Sequence, residues 1–473
     1  MSVHTKVYLP DAFLSAMDAI MPASLSRDDF VAACQRPLRR AIRVNTLKIS
    51  VADFAEQMAQ KGWQLETIPW CDTGFWLQRP DEDLPLGNEP EHLLGLFYVQ
   101  EASSMLPPQA LWHCLSEAPA KVLDVAAAPG SKTTQLAALM NNQGLLVANE
   151  YSGSRVKVLH ANLQRLGVSN CALCHFDGKV FGPALPDTFD AILLDAPCGG
   201  EGTIRKDPDA LKDWAQSHID AISEVQQGLI ESAFQALKVG GVLVYSTCTL
   251  NTQENQGVLA FLAARFGEAV ERVSLEGLFD GAEQALTEQG ELHIWPQIYD
   301  SEGFFVAAVR KLAKVDVPEP SFRLGKFPYT PAKGKDTQAF IQYLKDQFGF
   351  DAKLLNLWQR DGDFWHFPEE ANDLIGRVRL DRIGIKVAEP AGKEWKLHQD
   401  FVLAFGSQCR PLELDSAQAA DYLTGKDLAV DGLAAGGERV LSYQGHPIGT
   451  AKALKNKLKN RFPRELVKDK LAF

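Results

Sequence analysis

A doubly wound, mostly parallel α/β sheet is the fold class predicted for the centre of this chain, and three observations predict it. Short apolar runs alternate with helical segments between about residues 120 and 311, the runs read as buried strands, and acids stand where several of them end. Lys121–Ala126 (KVLDVA) is the first expected strand, with a helix over Ser131–Met140 after it. Leu145–Glu150 is the second, and Ser152 is placed as the N-cap of a long amphipathic helix reaching Leu166. Cys171–Phe176, Phe189–Leu194 and Gly241–Tyr245 follow as strands, with a helix over Ile219–Leu237 between the last two. Gly303–Val309 (GFFVAAV) is a late strand.

The flanks divide by composition. Residues 1–95 are expected to form an α+β segment, 96–311 the ligand-binding domain, and 312–336 a linker or ordered loop carrying Pro318, Pro320, Pro328, Pro331, Gly325 and Gly334. A middle domain is expected over 337–395 and a smaller C-terminal one over 396–473, with no internal repeat. A chain of 473 residues, 46% hydrophobic and 23% charged, suits a soluble protein of about three domains. No apolar run approaches the roughly 20 residues of a membrane helix, and Met1–Phe13 lacks the basic-then-apolar pattern of an export signal. A cytoplasmic protein with reduced thiols is therefore expected, so the eight cysteines do not suggest a disulfide framework.

The net charge of −12 argues mildly against a nucleic-acid partner, but local patches matter more. Cys34–Lys48 carries Arg36, Arg39, Arg40, Arg43 and Lys48 without an acid, and Lys452–Lys470 carries eight basic residues against Glu465 and Asp469. Each is either a solvated face or a phosphate-contacting patch.

Ligands of doubly wound sheets bind beyond the carboxyl ends of the strands. There this sequence has Glu150, Asp177 and Asp195, together with a first loop, Asp124–Gln135, rich in small residues that let a ligand approach the backbone. A P-loop would need a leading glycine and a Gly-Lys pair, but Ser131 separates Gly130 from Lys132; a dinucleotide fingerprint needs three glycines where Val125–Gly130 has one. A ligand without phosphates fits better. Glu150 is spaced to hold ribose hydroxyls and Asp177 to accept from an adenine amino group. S-adenosylmethionine, with adenine, ribose and a cationic sulfonium, matches this acid-rimmed crevice.

Two strands run directly into cysteines: FDAILLDAPC ends at Cys198 and GGVLVYSTC at Cys248. If the strands are neighbours, their ends lie about 4.8 Å apart, beside Asp195. Either cysteine alone would be taken as a small core residue. As a pair beside a carboxylate they suit methylation of cytosine carbon 5, where a thiolate adds to carbon 6, a carboxyl near ring N3 stabilises the adduct, and a base is needed for release. Asp195 is the candidate carboxyl; the residues alone leave the nucleophile open between Cys198 and Cys248.

The runs AAAPGSKTTQ, DAPCGGEGTIRKDPD and YSTCTLNTQENQ closely resemble the motifs of the Nop/Sun family of RNA cytosine-5 methyltransferases. RVNTLK, YVQEASSMLP and DSEGFFVAAVRK resemble its accessory motifs, so the likeness spans about residues 40–311. The resemblance implies that Cys248 is the nucleophile and that Cys198 assists release of the methylated RNA. It implies cofactor contacts from Ala126, Ala127, Ala128, Pro129, Gly130, Ser131, Lys132, Glu150, Asp177 and Asp195. With its tail, RVLSYQGHPIGTAKALKNKLKNRFPREL, the chain looks most like the branch that acts on the small ribosomal subunit. That likeness implies a PUA-like C-terminal RNA-binding region and a monomer acting on a flipped-out cytosine in the decoding region of 16S rRNA, within the 30S subunit. Transfer RNA or 23S rRNA as substrate, and a non-catalytic assembly factor, are the rivals. Cys171-Ala-Leu-Cys174-His175 spells a haem-attachment or redox pattern, but it alternates like a strand; core packing is expected there, with neither haem nor metal.

Overall fold

The computed structural model describes residues 7–320, 326–380, 382–392 and 394–467. Met1–Lys6 of the start, Gly325 of the proline-rich segment, and Lys468, Asp469 and Lys470 of the basic tail lie outside the described residues, as does the side chain of Glu465.

Among the described residues the strands form four sheets. The first is antiparallel: β1 (Ala41–Val44), β2 (Gln64–Ile68), β3 (Cys71–Gln78) and β4 (Phe97–Val99), in the order β2-β3-β1-β4. Helices Asp11–Ile20 and Arg27–Gln35 precede it, the second capped by the Ser26 hydroxyl, so the expected α+β character of this region is found.

The central sheet holds β5 (Lys121–Asp124), β6 (Leu145–Asn149), β7 (Cys171–Cys174), β8 (Phe189–Asp195), β9 (Leu237–Thr247), β10 (Val270–Val273), β11 (Leu292–Ile294) and β12 (Phe304–Lys311). Its order is β10-β12-β9-β8-β5-β6-β7, with β11 beside β12. The pairs from β9 to β7 are parallel and β12 enters antiparallel, giving the mostly parallel doubly wound sheet that the sequence predicts. Successive side chains point to opposite faces and feed two cores: Val122, Leu146, Ala191 and Val242 on one, Leu123, Val147, Ile192 and Leu243 on the other. Such strands read as continuous apolar runs because helices cover both sides.

Two local expectations are corrected. Ser152 does hold the N-cap position of helix Gly153–Leu166, but its hydroxyl makes no cap bond and pairs instead with the Ser154 hydroxyl at 3.0 Å. Two members of the cluster from Arg36 to Lys48, Arg43 and Lys48, are not surface cations either. Arg43 is 1% exposed on the buried strand β1, where its guanidinium donates to Gln100 Oε1 (2.9 Å) and Thr134 Oγ1 (2.8 Å). Lys48 donates to the carbonyls of Leu94 (2.7 Å) and Arg165 (2.9 Å), and Arg39 and Arg40 are paired with Glu66 and Glu82.

Downstream lie β13 (Thr330–Pro331), β14 (Leu357–Arg360), β15 (Asp363–His366), β16 (Arg382–Ile383), β17 (Ile385–Ala391) and β18 (Glu394–Leu397). All but β16 form one sheet, β13-β14-β15-β17-β18, while β16 leaves it to extend the central sheet beside β7. The last sheet, β19 (Leu412–Leu414), β20 (Leu428–Ala429), β21 (Glu438–Tyr443), β22 (His446–Leu454) and β23 (Lys457–Asn460), runs β19-β21-β22-β23-β20. Its Leu441 and Leu458 share a core with Ile42 and Phe97 of the first sheet, so the two ends of the chain pack together. Among the described residues no helix is long and apolar enough to cross a membrane.

Candidate active site

Strand order reverses between β5 and β8, which opens a crevice at their carboxyl ends. The loop after β5 is compact: Ala127 N–H donates to the Asn149 carbonyl at 2.7 Å, and Ala127 and Ala128 are buried while Pro129 is exposed. Gly130 takes φ +105° as the cap of helix Ser131–Leu139, and a Cβ there would lie 2.9 Å from Leu159, so the turn requires glycine on both counts. Ser131 accepts from Arg43 through its carbonyl, which ties the first sheet to this helix.

Glu150 follows β6, 3% exposed, accepting from Ser152 N–H at 2.8 Å and lying 3.4 Å from Arg155 Nη1. Arg155 also donates to the Ala128 carbonyl at 2.5 Å, so one side chain joins the small-residue loop to the acid. Asp177 is exposed beyond β7 and accepts from Lys179 N–H at 3.0 Å. The first loop, Glu150 and Asp177 therefore lie at the ends of successive strands, although Asp177 also serves its own turn.

Strands β8 and β9 are neighbours, with Asp195 opposite Ser246. Cys198 and Cys248, just beyond, bring their sulfurs to 3.0 Å, and Cys248 N–H points at Cys198 Sγ from 3.3 Å. Both oxygens of Asp195 accept hydrogen bonds: Lys132 Nζ donates to one and Ser246 Oγ to the other, each at 2.7 Å. Lys132 also donates to Ser104 Oγ at 2.9 Å.

Two buried carboxylates hold the cysteine loops. Glu201 accepts from Thr249 Oγ1 (2.7 Å), Leu250 N–H (3.0 Å), Asn251 N–H (2.8 Å) and Trp214 Nε1 (2.7 Å). Glu254 accepts from Gly199 N–H (2.9 Å), Gln226 (2.8 Å) and Asn251 (2.7 Å). Each carboxylate thus sits on one cysteine loop and grips the other. Gly202 N–H donates to the Cys248 carbonyl at 2.9 Å, and Gly303 N–H donates to Gly202 O at 3.1 Å. A Cβ on Gly202 would meet that neighbour's carbonyl at 1.9 Å.

The hydrogen bond to Cys248, burial, and the charges of Cys248, Glu254 and Asp195 push the Cys198 thiol well above its ordinary value. Burial likewise pushes the Glu254 carboxyl up, against its hydrogen bonds. A proton therefore stays on Cys198, where it can be donated to Cys248 Sγ.

The roles of Glu201, Glu254, Ser104, Ser246 and Arg155 escaped the sequence reading. Glu201 and Glu254 lie inside the two cysteine motifs, and that position was the signal available for them. Cys171 and Cys174 are buried on opposite faces of the central sheet in separate cores, so the intervening strand prevents them from acting as a redox pair. His175 Nε2 lies 3.0 Å from the Tyr151 carbonyl.

Comparison with known proteins gives the family. Residues 115–310 match the family described as 16S rRNA methyltransferase RsmB/F, and residues 9–102 match the N-terminal domain of 16S rRNA methyltransferase RsmF. Residues 329–405 match the pre-PUA domain of ribosomal RNA small subunit methyltransferase F, and 409–468 the RsmF PUA domain. The chain is 55% identical to ribosomal RNA small subunit methyltransferase F of Aeromonas salmonicida over the whole of both proteins. Against that of Serratia proteamaculans it is 56% identical, over 98% of this chain and 97% of the relative. A solved methyltransferase homologue from Pyrococcus horikoshii is 36% identical, with TM-score 0.52, over 64% of this chain and all of the other. With such identity along the full length and all four regions matched in series, the chain belongs to the ribosomal RNA small subunit methyltransferase F family.

Proposed function

We propose that this protein transfers a methyl group to carbon 5 of a cytosine in the decoding region of 16S rRNA, through a covalent bond between Cys248 and the base. The observation that carries this reading is the pair of thiols at the ends of neighbouring strands, 3.0 Å apart, with Asp195 beside them. The small ribosomal subunit is the object named for the relatives at 53% to 56% identity, which supports the choice of RNA.

Cys198 keeps its proton, which can be donated to Cys248 Sγ 3.0 Å away. The Cys248 thiolate then adds to carbon 6 of a flipped-out cytosine, which gives carbon 5 enamine character. Asp195, oriented by Ser246 and Lys132, is placed to hold the ring at N3. The small-residue loop Ala126–Lys132, with Glu150 and Asp177, fits S-adenosylmethionine: the loop admits a close ligand, and the acids suit ribose, adenine and a cationic sulfonium. When bound, S-adenosylmethionine supplies an electrophilic methyl group to carbon 5. Cys198 returns its proton to Cys248 as the methylated base leaves. Residues 1–95 and 396–473 would hold RNA, with 337–395 joining them to the catalytic domain.

The test is transfer from methyl-labelled S-adenosylmethionine to 30S subunits, naked 16S rRNA, 23S rRNA and transfer RNA. The expected product is 5-methylcytidine in 16S rRNA alone. Label on another atom would sink the chemistry, label on another RNA would move the substrate, and no label anywhere would favour an assembly factor.

A further inference from the structure

Six of the eight cysteines, Cys34, Cys71, Cys114, Cys171, Cys174 and Cys409, are buried, whereas Cys198 and Cys248 are half-buried at the crevice. Burial pushes Cys34 and Cys409 up to about 12 and Cys114 up to about 11, where a thiol is a poor nucleophile near neutrality. The Cys198 and Cys248 sulfurs lie 3.0 Å apart. A disulfide needs about 2.05 Å, so a shift of about half an ångström on each side would close one. The Cys-x-x-Cys run sets Cys171 and Cys174 on opposite faces of a strand, while the fold brings together two thiols that stand 50 positions apart.

This approach is built into the fold. Glu201 accepts from Thr249 Oγ1 and from the Leu250 and Asn251 N–H groups of the Cys248 loop, while Glu254 accepts from Gly199 N–H beside Cys198. Both carboxylates are fully buried, and Gly202 N–H adds a bond to the Cys248 carbonyl at 2.9 Å. The entropy of bringing the two sulfurs together is therefore lost on folding, and oxidation has little left to order. Charge points the same way. The hydrogen bond to Cys248, burial, and the charges of Cys248, Glu254 and Asp195 all disfavour a thiolate at Cys198, whereas a disulfide carries no charge. In a reducing compartment such a bond is transient, as redox-sensing disulfides are.

We propose that Cys198 and Cys248 form a reversible disulfide when the enzyme meets a peroxide, and that this bond switches methyl transfer off. The switching, though not the bond, rests on the reading of Cys248 as nucleophile. The Cys248 sulfur attacks one oxygen of hydrogen peroxide. A sulfur–oxygen bond forms, the oxygen–oxygen bond breaks, and the second oxygen leaves as water with the thiol proton. Cys198 Sγ then attacks the Cys248 sulfur. The sulfur–sulfur bond forms, the sulfur–oxygen bond breaks, and the hydroxyl leaves with the Cys198 proton as a second water. The two thiols lose two electrons, which the peroxide takes up. A dithiol reductant reverses the step by exchange, ending as a disulfide itself and returning both thiols.

The test uses the full-length enzyme, reduced and then treated with hydrogen peroxide without RNA. Mass spectrometry is expected to show loss of two hydrogens and a peptide pair joined through Cys198 and Cys248, with the six buried thiols still titratable after denaturation. Methyl transfer to 16S rRNA falls ~100-fold or more and returns with dithiothreitol, while equilibrium binding of S-adenosylmethionine is kept. In Cys198→Ala the same treatment leaves a sulfenic acid on Cys248 that dimedone labels; Cys198→Ser serves if the Ala variant fails to bind S-adenosylmethionine. Wild-type enzyme that gives no joined peptide, or that keeps a dimedone-reactive Cys248, overturns the proposal and leaves the cytosine-5 reading standing. A joined enzyme that still methylates at full rate overturns the switch together with Cys248 as nucleophile.

Discussion

Two sulfurs at 3.0 Å could be chemically equivalent, but the groups around Cys198 and Cys248 make them unequal. The hydrogen bond to Cys248 and burial, with the Glu254 charge adding to them, raise the Cys198 thiol and leave it the proton donor of the pair. From the sequence, both cysteines and Asp195 were legible because strands run straight into them, whereas the choice between the cysteines came from resemblance alone. The asymmetry comes first from the hydrogen bond between the sulfurs and from burial, with Glu254 adding to them, and the Glu254 carboxylate reaches the Cys198 loop only in the fold. Cys248→Ala is therefore expected to abolish turnover and all covalent adduct, while Cys198→Ala accumulates a protein–RNA adduct visible on a denaturing gel. The reverse pattern would exchange the two roles.

Among elements, the long apolar strands were legible to within a few residues because covered strands leave no polar alternation to misread. Ser152 shows what was not: residue type gave the cap position, but its hydroxyl pairs with that of Ser154 and makes no cap bond. The short strand β16 left no signal either, since two residues have no period. Its attachment depends on Asp400, a 3% exposed carboxylate on helix Gln399–Phe405 that is paired with Arg382 of β16 and accepts from Gln164 of helix Gly153–Leu166. Burial alone would raise this carboxyl, but His398, Arg382 and His160 outweigh it and hold it well below the usual range. Because its folded value lies below the unfolded one, the stabilisation is complete above about pH 4 and is lost as pH falls through the folded value. Asp400→Ala is expected to destabilise by about 3 kcal/mol at pH 7 in denaturant unfolding, with the difference from wild type shrinking in acid. An undiminished difference at pH 2 would refute this account.

At the scale of the molecule, a net charge of −12 conceals where the cations sit. Lys452 and Lys459 face each other across β22 and β23, both exposed, and their like charges repel unless an anion such as phosphate lies between them. Replacing both with Ala is expected to weaken 16S rRNA binding and to reduce the slope of log affinity against log salt by about 1 to 2. An unchanged slope would leave the pair as ordinary solvated residues. In the other basic cluster Arg43 is no surface cation, because sequence records charge but not depth: it lies between Ile42 and Val44 on a strand that is buried throughout.

That burial bears on how much of this protein can be borrowed. The Arg43 guanidinium is the object against which Gln100 and Thr134 are arranged, and Thr134 belongs to the helix that carries Lys132. A chain starting at residue 96 would keep every residue of the proposed chemistry and yet leave that amide and hydroxyl facing a vacancy the size of a guanidinium. The first ninety-odd residues are thus part of the scaffolding of the catalytic crevice, and the catalytic domain is not a cassette to be lifted out and grafted onto another RNA-binding partner.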